Sequence, residues 1–133
     1  MASGIYNRFK VNLLNKEIDL EVDDIKVMLL NNVHSFNAAH INKSQIEANE
    51  INGTGYTAGG VVLVNKVVTE GAVSNFDADD PEWTEATFGA WHAVLYRVTE
   101  SDLICSIDFG GEKAVELGTF YIRWNDDGII TLT

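Results

Sequence analysis

"AWHAVLYRVT", residues 90–99, decides how the rest of the chain is read. In an extended segment, Trp91, Ala93 and Leu95 fall on one face and His92, Val94 and Tyr96 on the other. Bulky side chains on both faces predict a central strand, covered above and below. Downstream, "DLICSIDFGG" (102–111) sets Leu103, Cys105, Ile107 and Phe109 against Ser106 and Asp108. "GTFYIRW" (118–124) sets Phe120, Ile122 and Trp124 against Tyr121 and Arg123. "GIITLT" (128–133) places Ile130 and Leu132 inward, after an Asp127-Gly128 hairpin signal. Upstream, "VVLVNKVVTE" (61–70) is rich in β-branched residues, and Gly71 turns it toward "AVSNFDA" (72–78). In "DDIKVMLLNN" (23–32), Ile25, Val27 and Leu29 share a face opposite Met28 and Leu30. Before it, Ile18, Leu20 and Val22 alternate with Asp19, Glu21 and Asp23, which predicts a half-buried strand.

These segments recur at roughly 8–12-residue spacing with no long crossover helix between them, the pattern of an all-β antiparallel sandwich or barrel. The expectation is one jelly-roll-like β-sandwich domain over residues 1–133, with residues 1–15 as a helical N-terminal segment. Ile5, Phe9 and Leu13 recur every four residues beside Tyr6, with Ser3 as cap and Asn15 as stop. From Val33 to Asn52 the chain is polar and irregular, and Ser44 and Glu47 have the spacing of a capping box.

Composition narrows the function classes. The 133 residues hold 46% hydrophobic and 22% charged side chains, the balance of a folded domain. A single cysteine, Cys105, excludes an internal disulfide framework and a multi-cysteine zinc site. Twenty acids against nine bases leave a net charge of −11. Such a chain repels nucleic-acid phosphate and anionic lipid alike, so neither nucleic acid nor a membrane is an expected partner. The opening "MASGIYNRFKVNLLNKEIDL" lacks the basic start and unbroken apolar run of a secretory signal, and folding in a reducing cytoplasm is expected.

"EINGTGYTAGGVVLV" (50–64) has the glycines of a phosphate loop, but Val61 and Val62 stand where a Walker motif needs Lys and Ser/Thr. A dinucleotide fingerprint must follow a strand and open a helix, and polar residues precede this stretch while β-branched ones follow. It reads as a turn anchored by Tyr56. "FDADDPEW" (76–83) collects Asp77, Asp79, Asp80 and Glu82, a set that could suit a hard cation or, through Asp79 and Glu82, glycan hydrolysis. A solvated turn capped by Pro81 is the simpler reading. His34 and His40 lie close enough in sequence to meet, whereas His92 reads as a packed or interfacial histidine. Cys105 falls on an apolar strand face with no adjacent base. Trp83, Trp91, Trp124, Tyr56 and Tyr96 could form a sugar-stacking platform, although aromatics of a sandwich normally fill its core. No catalytic, cofactor or metal residue is nominated.

"ANEINGTGYTAGG" (48–60), "FDADD" (76–80) with a following Trp, "IDFGG" (107–111) and "GTFYIRWNDDGIITL" (118–132) resemble a family of small tailed-bacteriophage virion structural proteins. The resemblance runs from "YNRFK" (6–10) to the last residue. It implies a non-enzymatic virion component made in the host bacterial cytoplasm. An acidic β protein that avoids packaged DNA suits the outer face of the head shell, as a decoration (cement) protein on the major capsid protein. The expected assembly is a homo-oligomer, taken as a trimer, and the alternative is a tail or baseplate component with an adhesion or glycan-binding role. Tyr6, Arg8, Phe9, Lys10, His34, Phe36, His40 and Tyr56 are the expected protein-contact residues, on the N-terminal segment, the polar stretch and the glycine turn.

Overall fold

The computed structural model describes residues 3–132. Along the chain come β1 (Gly4–Ile5), α1 (Asn7–Leu14), β2 (Ile25–Leu30), β3 (Val61–Val62), β4 (Val67–Thr69), β5 (Ser74–Asp77), β6 (Glu82–Arg97), β7 (Leu103–Tyr121) and β8 (Ile130–Leu132). Two short 3-10 turns occupy Lys43–Gln45 and Glu47–Asn49. All pairings are antiparallel, in a five-stranded sheet of order β1-β7-β6-β2-β3 and a three-stranded sheet of order β4-β5-β8. The protein is an all-β sandwich with a short N-terminal helix.

Two apolar clusters follow from the two faces of the large sheet. Ile25, Val27 and Leu29 of β2 join Ala93 and Leu95 of β6 in the core that also holds Phe76 and Ile130 of the small sheet. Met28 and Leu30 point the other way and pack with Val94, Tyr96, Tyr6 and Ile46. β6 is the central strand between β7 and β2, as its two apolar faces require. The segment 31–50 and the start of the chain roof this second face. Backbone contacts tie them down: the Tyr6 amide donates to the Ile104 carbonyl at 3.0 Å and Asn7 to Ala38 at 2.9 Å.

Several local expectations are corrected. Ile18, Leu20 and Val22 form no strand: the Asp19 carboxylate accepts from the amides of Glu21 and Val22, and this side-chain cap turns the backbone. Ile18 and Leu20 still reach the core, whereas Val22 is exposed. The helix begins at Asn7 rather than near Ser3, because Gly4 and Ile5 pair with Ser106 and Cys105 of β7. The Ser3 hydroxyl accepts from the Asp108 amide and caps no helix. The capping box in the polar stretch belongs to Asn42 and Gln45, not to Ser44 and Glu47. The valine-rich run 61–70 divides at Asn65, whose φ of 55° sends β3 into one sheet and β4 into the other. Asp127-Gly128 makes a turn, but β8 pairs with β5 rather than with the preceding strand, and Leu132 is exposed.

Bulges account for two further changes. Leu95 faces Cys105 while Tyr96 faces Leu103, so Ile104 is an extra residue in β7. Ile104 and Cys105 therefore both join the inner core, and Leu103 moves to the opposite face with Tyr96. Farther along, Ala90 faces Lys113 and His92 faces Asp108, which leaves Trp91 alone against residues 109–112. Trp91 thus leaves the core face that Ala93 and Leu95 share.

Glycine is required where the 50–60 loop crosses β2. Gly60 has φ +86°, and a β-carbon there would lie 1.8 Å from the Val27 carbonyl oxygen. Gly110, at φ +79°, has open space around it. Gly60→Ala should cost about 3 kcal/mol or more, through backbone displacement added to left-handed strain. Gly110→Ala should cost only about 1–2 kcal/mol, from the left-handed strain alone. Urea denaturation of the two variants checks the difference, and equal losses would contradict it.

Candidate functional site

The densest group of reactive side chains lies under the roof of the second sheet face. β6 and β7 present His92, Ser106 and Asp108 there, because these residues alternate with core residues along their strands. His34 descends onto them from the segment after β2. Its Nε2 lies 3.1 Å from the Ser106 hydroxyl, and its ring meets His92 edge-on at 4.9 Å between centroids and 74° between planes. Asp108 holds a carboxylate oxygen 3.9 Å from His92 Nδ1, beyond hydrogen-bond reach. Both imidazoles are buried, at 3% and 5% exposure. Tyr6 closes one side, with its hydroxyl buried.

Burial governs the protonation of this cluster. It lowers the His34 pKa to about 4, helped by the neighbouring His92 and His40 and opposed by Asp108. The His92 pKa is lowered by the same burial, with Asp108 opposing. The Tyr6 hydroxyl is pushed up to about 12 by burial, with Ser106 working against the rise. At neutral pH the two imidazoles are uncharged. A serine and a histidine in contact are the beginning of a nucleophile pair, but a base needs a pKa near the working pH and a route for substrate. His34 has the first far too low, and the pair lies beneath the roof. Among the described residues, no three His, Cys, Asp or Glu side chains converge as ligands for a metal ion. The arrangement is a polar clasp that fixes the roof to the sheet.

Tyr6, Phe9 and His34 are buried, at 0%, 2% and 3% exposure, and Tyr56 is half-buried with its hydroxyl turned inward. Phe36 meets the Tyr6 ring edge-on at 5.0 Å, and His40 is half-buried in the roof. Of the eight, Arg8 and Lys10 project freely into solvent. The glycine stretch is a turn with Tyr56 as its anchor: the phenol donates to the Glu50 carboxylate and accepts from the Leu29 amide at 3.1 Å. Glu50 also accepts from the Gly59 amide at 2.7 Å, so this carboxylate organises the loop. Burial and the hydrogen bond to Glu50 raise the Tyr56 pKa.

In the acidic turn, Asp77 accepts from the Ala78 amide, Asp79 from the Asn65 side chain and Asp80 from the Trp124 amide. Trp83 is 3% exposed, and with Tyr56, Phe88 and Phe120 it forms a packed aromatic group in the core, not a sugar platform. The Cys105 thiol is pushed up to about 12 by burial. Two arrangements carry no local sequence signal. One is the His34–Ser106 contact, across 72 residues. The other is Arg97, whose guanidinium donates to Asp102 at 2.7 Å and to the Glu17 carbonyl, while Asn12 donates to the same Asp102 carboxylate.

Exposed aliphatic side chains are spread over the surface, with Leu14, Val22, Val33 and Leu117 68–87% exposed. Val62, Val64, Val67, Val68, Val73 and Leu132 are 44–56% exposed and belong to β3, β4, β8 and the segments beside β4. Clustered exposed aliphatic side chains mark surfaces that other macromolecules cover.

The clasp has a pH signature. The folded protein holds His34 near pKa 4 while the unfolded chain returns it to 6.5, so the unfolded state takes the proton first. The clasp's contribution is complete above pH 6.5 and is lost as pH falls toward 4, with a loss of about 2 kcal/mol between pH 7 and pH 5. Denaturation curves at both pH values for the native chain and His34→Gln check this. The variant should show the smaller fall, and equal falls would contradict it.

Comparisons with known proteins find no family model, no curated protein and no solved structure that matches this chain.

Proposed function

We propose that this chain is a non-enzymatic structural protein of a tailed-phage virion, a decoration protein that sits on the outer face of the head shell. The observation that carries the reading is the set of exposed aliphatic side chains on β3, β4 and β8 of a protein of net charge −11. An apolar patch drives adhesion to protein, while the surrounding negative charge disfavours the packaged nucleic acid. The segments behind the phage resemblance support the same reading. The Glu50–Tyr56 loop, the acidic turn and the Asn125–Gly128 turn are stiffened by side-chain hydrogen bonds, as a scaffold that must hold its shape requires.

The N-terminal segment contributes through Arg8 and Lys10, since Tyr6 and Phe9 are already part of the fold. Removing residues 1–14 would strip core side chains, so charge reversal at Arg8 and Lys10 is the cleaner probe of that surface.

Heads lacking decoration, incubated with the purified chain and imaged, should show symmetric density on the outer shell. Val67→Asp/Val73→Asp should weaken attachment about tenfold or more, with the denaturation midpoint little changed. Density confined to tail or baseplate would replace this reading with the adhesion alternative. Turnover of glycan lost in Asp79→Ala/Glu82→Ala would overturn it in favour of an enzyme.

A further inference from the structure

The two layers of the sandwich are unequal, five strands against three. Among the described residues, β8 is one edge of the smaller layer, opposite β4, and has one hydrogen-bonded neighbour, β5. Beside it the core is open. An apolar groove of about 580 Å³ runs between β7 and the segment leading into β8, lined by Ile107, Phe109, Val115, Phe120, Trp124 and Ile129. Each of these side chains belongs to the inner core or packs against it. A second apolar groove, of about 400 Å³, lies between α1 and the small sheet and reaches Ile130 and Leu132. Apolar space therefore borders β8 and the residues leading into it.

The charge around the first groove is uneven. Arg123, Trp124 and Asn125 also line an adjoining pocket that contains Asp77, Asp80 and Asp126. Three carboxylates there meet one guanidinium. Lys113 is the groove's other cation.

We propose that an extended segment of another protein, with alternating apolar side chains and a cationic end, docks along the free edge of β8 as a fourth strand of the small sheet. Its apolar side chains fill the groove over β7, and its cationic end meets Asp77, Asp80 and Asp126. The proposal rests on the reading of the chain as a protein-binding scaffold and names the chemistry of the partner segment. A second copy of this chain fits less well, because two bodies of charge −11 repel. β8 is a better acceptor edge than β7. The β7 edge is interrupted by Gly110 and Gly111 and by Leu117 at φ +49°, irregularities that discourage strand addition. Strand addition takes its affinity from main-chain hydrogen bonds and its selectivity from pockets for alternate side chains, and β8 with its groove offers both.

The probe is a synthetic peptide of alternating Val and Thr, about eight residues long, with two lysines at one end. Its counterpart ends in two glutamates. Tryptophan fluorescence should report saturable binding of the lysine-ended peptide, about tenfold tighter than the counterpart and weakened by salt. Hydrogen exchange should slow at residues 129–132. Asp126→Lys, an exposed substitution, should remove the preference between peptides, and Ile129→Glu should abolish binding of both. If Ile129→Glu fails to fold, Asp126→Lys and the salt dependence decide alone.

Absence of saturable binding and of protection at millimolar lysine-ended peptide would overturn the proposal. So would concentration-dependent self-association of the unliganded chain that Ile129→Glu removes, since the occupant would then be a second copy. Head attachment by the native chain without peptide binding sinks the groove alone. Peptide binding without attachment to any virion part sinks the phage reading alone.

Discussion

The large sheet has no wet face where β2 meets the inner half of β6. Met28, Leu30 and Val94 on one side are as dry as Val27, Leu29 and Leu95 on the other. A sheet covered twice needs two coverings, and the small sheet supplies only one. The other is made from irregular chain, residues 31–50 and the N-terminal turn, which brings polar groups into a dry place. Each must find a partner or stay neutral. His34 does both, against Ser106. The same demand explains why Asn12, Arg97 and Asp102 form a connected network at the far end of β6.

That roof changes what the reactive residues can do. Histidine, serine and aspartate at this density look like chemistry when viewed as a list, and like a fastening when viewed in place. Desolvation keeps the imidazoles uncharged, and contact between them makes a first proton still less welcome. Carboxylates are used in the same way elsewhere. Glu50 closes the glycine loop, Asp19 turns the chain after α1 and Asp80 holds the Trp124 backbone. The negative field of the surface thus comes partly from groups whose first duty is local structure. Beside them, aliphatic side chains such as Val67 and Leu132 of the small sheet face outward.

Irregularities in β6 and β7 join fold to function. Sixteen and nineteen residues would make a long flat ladder, but four register shifts break it. The shift at Ile104 delivers Leu103 to the second face, and the one opposite Trp91 makes room for the glycines of 110–111. Bulges bend strands and protect edges. β8, with β4, forms an edge of the small sheet, and apolar core side chains line the groove beside the segment leading into it.

Sequence alone determined the all-β class, the central position of 90–97, the two faces of 25–30, the structural nature of the glycine loop and its Tyr56 anchor. Those features rest on period-two alternation and on local glycine and turn chemistry, which neighbouring residues express by themselves. It mistook 18–22 for a strand because alternation is blind to an aspartate that bonds its own backbone. Tyr6, Phe9 and His34, expected as contact residues, are buried within the fold. Tertiary structure decided the bulges, the unequal layers, the pairing of β8 with β5 and the meeting of His34 with Ser106. Each depends on contacts between residues far apart in the chain, and no local pattern encodes which distant surface will cover a given face.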